Sequence, residues 1–295
     1  MLSSAVERKQ KDEGVTLHRL QDLLPHDIIG THSLCEICVP DWAFKPDHWS
    51  TTFLRGLIKV KDDLASARLW EVGVGTGVNL IALSSVVSDA TWYFSDYNPD
   101  CTSLAASNLE AAGIKGSYNP LWGRRNLVHA DVGQVVPKVD VVFGCLPQVP
   151  TTQGIDHDDR VAHYYDPSMF PCSSRHACGL ALNEALLVGA KKILYPRGKA
   201  ILNLSGRAGR ERLELMFNEC GYESRVLYEA IVPQHAATSL KSLAAIESES
   251  GMGQTFEFFA DPEARMPLCA TYAEARRQKG HPVYHKIFVI EGTLQ

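Results

Sequence analysis

The sequence predicts an α/β protein, Rossmann-like in pattern: a mostly parallel sheet of seven strands, antiparallel at its last strand, with helices packed between. Three observations predict it. Short β-rich runs alternate with helical stretches from Arg68 to about Ala260. A glycine turn, Glu71-Val-Gly73-Val-Gly75-Thr-Gly77, lies directly between the first run and the first helix. The alternation then breaks into two adjacent strands, as an antiparallel last strand requires.

The elements follow in order. Residues 69–74 form the first strand, and 79–87 a helix that turns Leu80, Ile81, Leu83 and Val87 to the sheet. Residues 91–96 are the second strand, 100–112 a helix, 126–130 the third strand and 139–144 the fourth. Residues 146–175 carry Pro147, Pro150, Gly154, Pro167 and Pro171, and a loop of that length inside a compact domain is usually functional. A helix over 179–189, a turn at Pro196-Arg-Gly198, a fifth strand over 199–204 and a helix over 210–220 closed by Gly221 come next. Residues 223–232 and 254–260 read as the last two strands, and the tail adds a helix near 262–280 and a strand at 283–290. With no internal repeat or low-complexity linker, residues 1–295 read as one domain. Residues 1–65 are a helical, irregular extension or lid, 66–260 the core, and 261–295 a C-terminal addition.

Composition narrows the function. Hydrophobic residues make up 45% of the chain and charged residues 21%, enough apolar material for a full core. The net charge is −5 with no basic run, which argues against a nucleic-acid partner. The polar first 14 residues lack a signal-peptide core, and no run reaches the roughly 18 apolar residues of a membrane span, so a cytoplasmic protein with no membrane partner is expected. Eight cysteines include a CxxC at Cys35 and Cys38, three residues after His32. No second pair matches it, so reduced structural thiols and no metal are expected.

The glycine turn points to a nucleoside cofactor. Glycines there admit tight-turn angles and close ligand approach. The acid Glu71 sits two residues before Gly73, a spacing that differs from the GxGxxG of nicotinamide-binding folds. Asp96 ends the second strand, 19 residues after Gly77, where a carboxylate accepts from both ribose hydroxyls. As a strand-end acid it is expected to carry little packing. Asp131, after the third strand, is placed to meet the adenine amino group, and Tyr97, Val132 and Cys145 complete the cofactor set. Glycines and acids in this order point to a class I, S-adenosylmethionine-dependent methyltransferase.

The acceptor motif follows the fourth strand. Amino-methylating members of that superfamily often carry Asn-Pro-Pro-Tyr there; this chain has Gly144-Cys-Leu-Pro-Gln148, which argues against a nitrogen acceptor. Together with Trp49-Ser-Thr-Thr-Phe53, Gly56-Leu57, Gly179-Leu-Ala-Leu182, Asn203, Gly206-Arg207, Gly209, Gln234, Leu243, Ile246-Glu247 and Phe256-Glu-Phe-Phe259, that segment resembles the methyltransferase domain of plant methionine S-methyltransferase. It is similar also to the compact bacterial enzymes that make S-methylmethionine on the way to dimethylsulfoniopropionate. The resemblance spans roughly residues 36–260 and is weakest over 151–178.

The resemblance implies methyl transfer from S-adenosyl-L-methionine to the thioether of L-methionine, giving S-methyl-L-methionine and S-adenosyl-L-homocysteine. A thioether has no proton to lose, so no general base is required, and no Ser, His and Asp grouping suggests hydrolysis. Trp49, Tyr97, Tyr164 and Tyr165 are candidates to face the migrating cation. Arg207, just past the fifth strand, is the candidate for the substrate carboxylate. Glu247 and Glu257 are candidates for its ammonium, and Gln148 and Asn203 for other polar groups of substrate or cofactor. A homodimer is left open. The alternatives are a methyltransferase of another small amino acid or of a protein glutamine amide, and a cofactor-binding regulator without turnover.

Overall fold

The computed structural model describes residues 15–114, 118–121, 137–150, 174–235, 240–249 and 255–295. The chain divides into two compact units, Met1–Gly144 and Cys145–Gln295.

In the first unit, strands β3 (Arg68–Val72), β4 (Thr91–Ser95), β5 (Tyr118–Pro120) and β6 (Val139–Gly144) form a parallel ladder in the order β6-β3-β4-β5. Leu69, Trp70 and Val72 of β3 are all fully buried, as a central parallel strand covered on both faces requires. Helix α1 (His48–Ile58) buries Phe53, Leu54 and Leu57, and Asp47 caps it by accepting the Trp49 N–H at 2.7 Å. Helix α2 (Val78–Ser84) follows β3 and helix α3 (Pro99–Ala111) follows β4. The third strand expected at 126–130 lies outside the described residues, and the strand beside β4 is β5, three residues ending in proline and too short to stand out in sequence. Residues 1–65 read as helical, yet β1 (Val15–Arg19) and β2 (Glu36–Pro40) pair antiparallel, with Ile37 and Val39 buried. Two isolated β-branched runs give no periodicity long enough to mark them.

In the second unit, β7 (Leu194–Ser205), β8 (Tyr222–Pro233) and β11 (Tyr284–Leu294) form the sheet, with β11 between the other two and antiparallel to both. This corrects the boundary drawn at residue 261. The last 35 residues hold the central strand of their unit, whereas of the described residues 255–260 only β9 (Phe258–Phe259) is strand, pairing with β10 (Pro267–Leu268) and with Tyr284. Burial explains the difference: Ile287, Phe288, Val289 and Ile290 are an unbroken apolar run with almost no exposure. Glu291 of β11 is 2% exposed and is neutralised from both neighbouring strands, by Lys199 at 3.3 Å and Arg225 at 2.8 Å. Helices α4 (Ala181–Ala190) and α5 (Arg210–Glu219) flank β7, and Gly221 takes a φ of 81° just after α5. The Pro196-Arg-Gly198 turn is instead a kink inside β7, with Arg197 at φ 62°.

A smaller apolar cluster joins helix α6 (Lys241–Glu249) to helix α7 (Ala270–Gln278) through Leu243, Ile246, Phe256, Phe258, Ala270 and Ala273. Its fastener is Glu247. This carboxylate accepts the N–H groups of Phe256 at 2.7 Å, Ala270 at 3.0 Å and Thr271 at 3.1 Å, and the Thr271 hydroxyl at 3.3 Å. Burial alone raises the carboxyl's pKa, but these bonds outweigh it and hold it below the usual range. Among the described residues, no helix is long and apolar enough to cross a membrane.

Glu247→Gln replaces an acceptor of several N–H bonds with an amide that turns a donor toward them. The expected loss is about 1–3 kcal/mol. Because the folded pKa is depressed, the native advantage is present above the ordinary glutamate range, near about 4.3, and disappears as pH falls through the folded value. Denaturant titrations of both proteins at pH 7 and pH 3 check this: the gap should be larger at pH 7 than at pH 3.

Candidate functional site

The first unit builds its site where β3 and β4 end. Gly73, Gly75 and Gly77 all take positive φ, at 75°, 54° and 79°, so the turn after β3 follows a path open to glycine. The N–H groups of Gly73 and Val74 donate to the Ser95 carbonyl at 2.9 and 3.2 Å. The Gly75 N–H donates to Asp96 Oδ2 at 3.0 Å, and the Asn98 N–H to Asp96 Oδ1 at 2.9 Å. From the other side, Asn108 of α3 donates to the Thr76 carbonyl at 2.9 Å and exchanges two bonds with the Cys38 backbone, at 2.9 and 3.0 Å. A side chain at Gly75 would meet nothing within 4 Å, so the turn presents free space there; one at Gly77 would press on Ala105 at 3.2 Å.

Asp96 is buried and holds two backbone N–H groups, which corrects the expectation that it carries little structure. A carboxylate can accept about four hydrogen bonds, so these two do not by themselves fill it. Glu71, at the end of β3, is fully buried; its Oε1 accepts from Asn79 Nδ2 at 2.7 Å and its Oε2 has no partner. Tyr97 and Trp49 are half-buried. Asp131, Val132, Tyr164 and Tyr165 lie outside the described residues.

The second unit builds its site on the end of β7. Gln148 Oε1 accepts the Ser205 N–H at 3.0 Å, and its Nε2 donates to the Asn203 carbonyl at 3.3 Å. Asn203 is wholly buried and donates to Cys145 Sγ at 3.2 Å. Gly179, at φ 75°, lets its backbone approach this segment, since a Cβ there would stand 2.9 Å from the Gln148 carbonyl carbon. Gln148, Asn203 and Cys145 thereby brace the segment after β6 against β7.

Past Ser205 the chain makes one tight helical turn that carries Arg207. Its Nε donates to Ser205 Oγ at 2.7 Å, and among the described residues no carboxylate pairs with its guanidinium. Burial pushes its pKa down to about 10, which leaves it charged at neutral pH. His285 of β11 is buried beside it; burial first, and then the Arg207 charge, hold the imidazole well below its usual range and hence neutral. A small pocket beside this cation is lined by polar Gln148, Ser205 and Arg207 together with apolar Pro150, Leu243 and Phe256.

Two of the remaining candidates move. Glu247 spends its oxygens on backbone N–H groups, so it does not serve a substrate ammonium. Glu257 is exposed and touches the site through its own N–H, which donates to the Arg207 carbonyl at 2.9 Å. Sequence reasoning misses Asn98, Asn108 and Ser205. Asn98 had a signal, an N-cap residue before a proline, whereas Asn108 has none, because its partners are 32 and 70 residues away. His32 Nδ1 lies 3.7 Å from Cys35 Sγ, and among the described residues no three His, Cys, Asp or Glu side chains are grouped to hold a metal ion.

A parallel ladder with a glycine turn after β3 and an acid after β4, and a last strand running antiparallel between β7 and β8, are the marks of the class I methyltransferase fold. Within that class, the sequence is similar to methionine S-methyltransferases. It is 24% identical to the enzyme of Zea mays over 277 residues and 22% identical to that of Arabidopsis thaliana over 268, matching 85% and 83% of this chain and 25% of each relative. The chain thus spans about a quarter of the length of the curated relatives it matches. No family model matches it. Among solved structures it aligns with the YcgJ protein of Bacillus subtilis at a TM-score of 0.49 and 13% identity, covering 84% of this chain and 99% of that one. It aligns with precorrin-6y C5,15-methyltransferase of Geobacter metallireducens at a TM-score of 0.41 and 14% identity, covering 83% and 89%.

Gly77→Ala forces a positive φ on a side chain and presses its Cβ on the α3 backbone, for an expected cost of about 1–3 kcal/mol. Gly75→Ala carries the φ cost without the contact. Urea midpoints should therefore rank native, Gly75→Ala, Gly77→Ala from most to least stable; the two variants falling in reverse order would contradict the described packing.

Proposed function

We propose that this chain transfers a methyl group from S-adenosyl-L-methionine to the thioether sulfur of L-methionine, producing S-methyl-L-methionine and S-adenosyl-L-homocysteine. The observation that carries the reading is Arg207, a half-buried guanidinium with no acid partner among the described residues, in a small pocket lined also by Leu243 and Phe256. A cation held without a counter-ion calls for an anionic ligand, and a planar guanidinium suits a carboxylate in two-point contact. Leu243 and Phe256 suit an apolar side chain such as a thioether. The similarity to methionine S-methyltransferases supports methionine as that ligand. The resemblance to compact bacterial enzymes supports a further reading, that the product feeds dimethylsulfoniopropionate synthesis.

The glycine turn and Asp96 fit the cofactor: Gly75 leaves space, and Asp96 sets a carboxylate beside the turn, the group that would accept from a ribose diol. When bound, S-adenosylmethionine supplies an activated methyl group on a sulfonium. The protein's part is to bind, orient and desolvate. A thioether attacks with a lone pair and loses no proton, so neutral His285 needs no role as a base. Alignment at near-attack distance can contribute about 7 kcal/mol or more in favourable cases.

The test is Arg207→Lys, which keeps the charge and loses the planar fork. It should raise the KM for methionine by roughly ten- to a hundredfold, about 1.5–3 kcal/mol, with cofactor binding nearly unchanged. Methionine amide should be a correspondingly poor substrate for the native chain. Steady-state kinetics check both; equal turnover of methionine and its amide would remove Arg207 from carboxylate recognition.

A further inference from the structure

Glu71 is the buried titratable group that the mechanism above leaves unused. It sits on β3, opposite Phe94 of β4 and Phe143 of β6, and two residues before the first glycine of the turn. Its side chain has no exposure, and its surroundings supply one donor, Asn79 of α2. Oε2 is without a partner, and the Asn79 carbonyl oxygen beside it is an unpartnered acceptor as well. Among the described residues, the one titratable group that acts on Glu71 is Asp96 at the end of β4, and it is negative. Asp96 accepts two backbone N–H bonds, and its negative charge acts on the Glu71 carboxyl. Burial first, opposed by the Asn79 bond and reinforced by Asp96, pushes the Glu71 carboxyl up to about 8.

We propose that Glu71 is a proton-coupled receptor for the cofactor's charge, a neutral acid in the empty chain that ionises when the sulfonium enters. The O–H bond of the carboxyl breaks, its electron pair stays on the oxygen, and the proton goes to solvent. After methyl transfer the by-product carries one positive charge fewer, and Glu71 takes a proton back. Glu71 thereby favours S-adenosylmethionine over S-adenosylhomocysteine, a preference that plain hydrogen bonding to the groups common to both would not produce. This inference rests on the cofactor reading given above.

The experiment is calorimetry on the full chain with each of the two compounds, in two buffers of different ionisation heat, from pH 6 to 7.5. A free α-amino group titrates at about 7.7–8.0, so the ligand's own amine begins to lose its charge at the top of that window; both compounds carry that amine, and the difference between them reads the sulfonium. S-adenosylmethionine should release a substantial fraction of one proton, and its affinity should rise with pH by up to about tenfold per unit. S-adenosylhomocysteine should release less and show a shallower rise. Glu71→Gln should bind S-adenosylmethionine with an affinity flat in pH. Binding of S-adenosylmethionine to the native chain without proton release overturns the proposal, and needs no variant. Equal release with both compounds, or a slope that persists in Glu71→Gln, overturns it too. A native chain that binds neither compound at any pH defeats the cofactor reading itself, a separate result.

Discussion

The bonds that β4 offers from its last residue and the one beyond it, the Ser95 carbonyl and the Asp96 carboxylate, organise the first unit. They receive the N–H groups of Gly73, Val74 and Gly75 and so fix a turn in which three of five residues have no side chain to hold it. Three positive φ angles in five residues are an entropic liability in an unfolded chain. Asn108 adds the opposing anchor by reaching Thr76 and Cys38 from α3. The turn is thus pre-arranged before any ligand arrives, and the acid that would hold a ribose is the acid that shapes the turn. Changing Asp96 therefore alters recognition and local structure together.

The second unit follows the same economy with different chemistry. Backbone groups at the end of β7 are met by one amide, Gln148, and the strand then delivers Ser205 and Arg207 to a cleft. A buried charge is costly unless compensated. Ser205 Oγ supplies one acceptor, and neutral His285 keeps a second positive charge away. Under the proposed function, the remaining compensation for Arg207 comes from the carboxylate of the substrate. Acceptor sulfur chemistry then asks little more of the protein than shape.

Legibility in the sequence tracked the range of the interactions. The alternation of strands and helices, the glycine turn and the place of Asp96 are local patterns, and the structure shows each of them. The place of Arg207 just past a strand end was readable, and its role toward a substrate stays a proposal. The order of the last strands was not readable. Residues 254–260 and 284–294 are both apolar, and long-range pairing with β7 and β8 decides that the second is central. Gln148, Asn203 and Glu247 fall in segments quoted for the resemblance, but their type does not tell a ligand contact from a bond to backbone; that depends on residues 9 to 58 positions away. Asp131, Val132, Tyr164 and Tyr165 fall outside the described residues and stay as readings of the sequence.

The central claim is that a thioether is the methyl acceptor. The most direct measurement incubates the chain with S-adenosylmethionine carrying an isotopically labelled methyl group and an equimolar mixture of the free amino acids, and follows products by mass spectrometry. The account predicts one labelled product, methionine heavier by one methyl, whose fragmentation places both methyl groups on sulfur. Label on nitrogen or oxygen of any amino acid, with methionine unchanged, would contradict it.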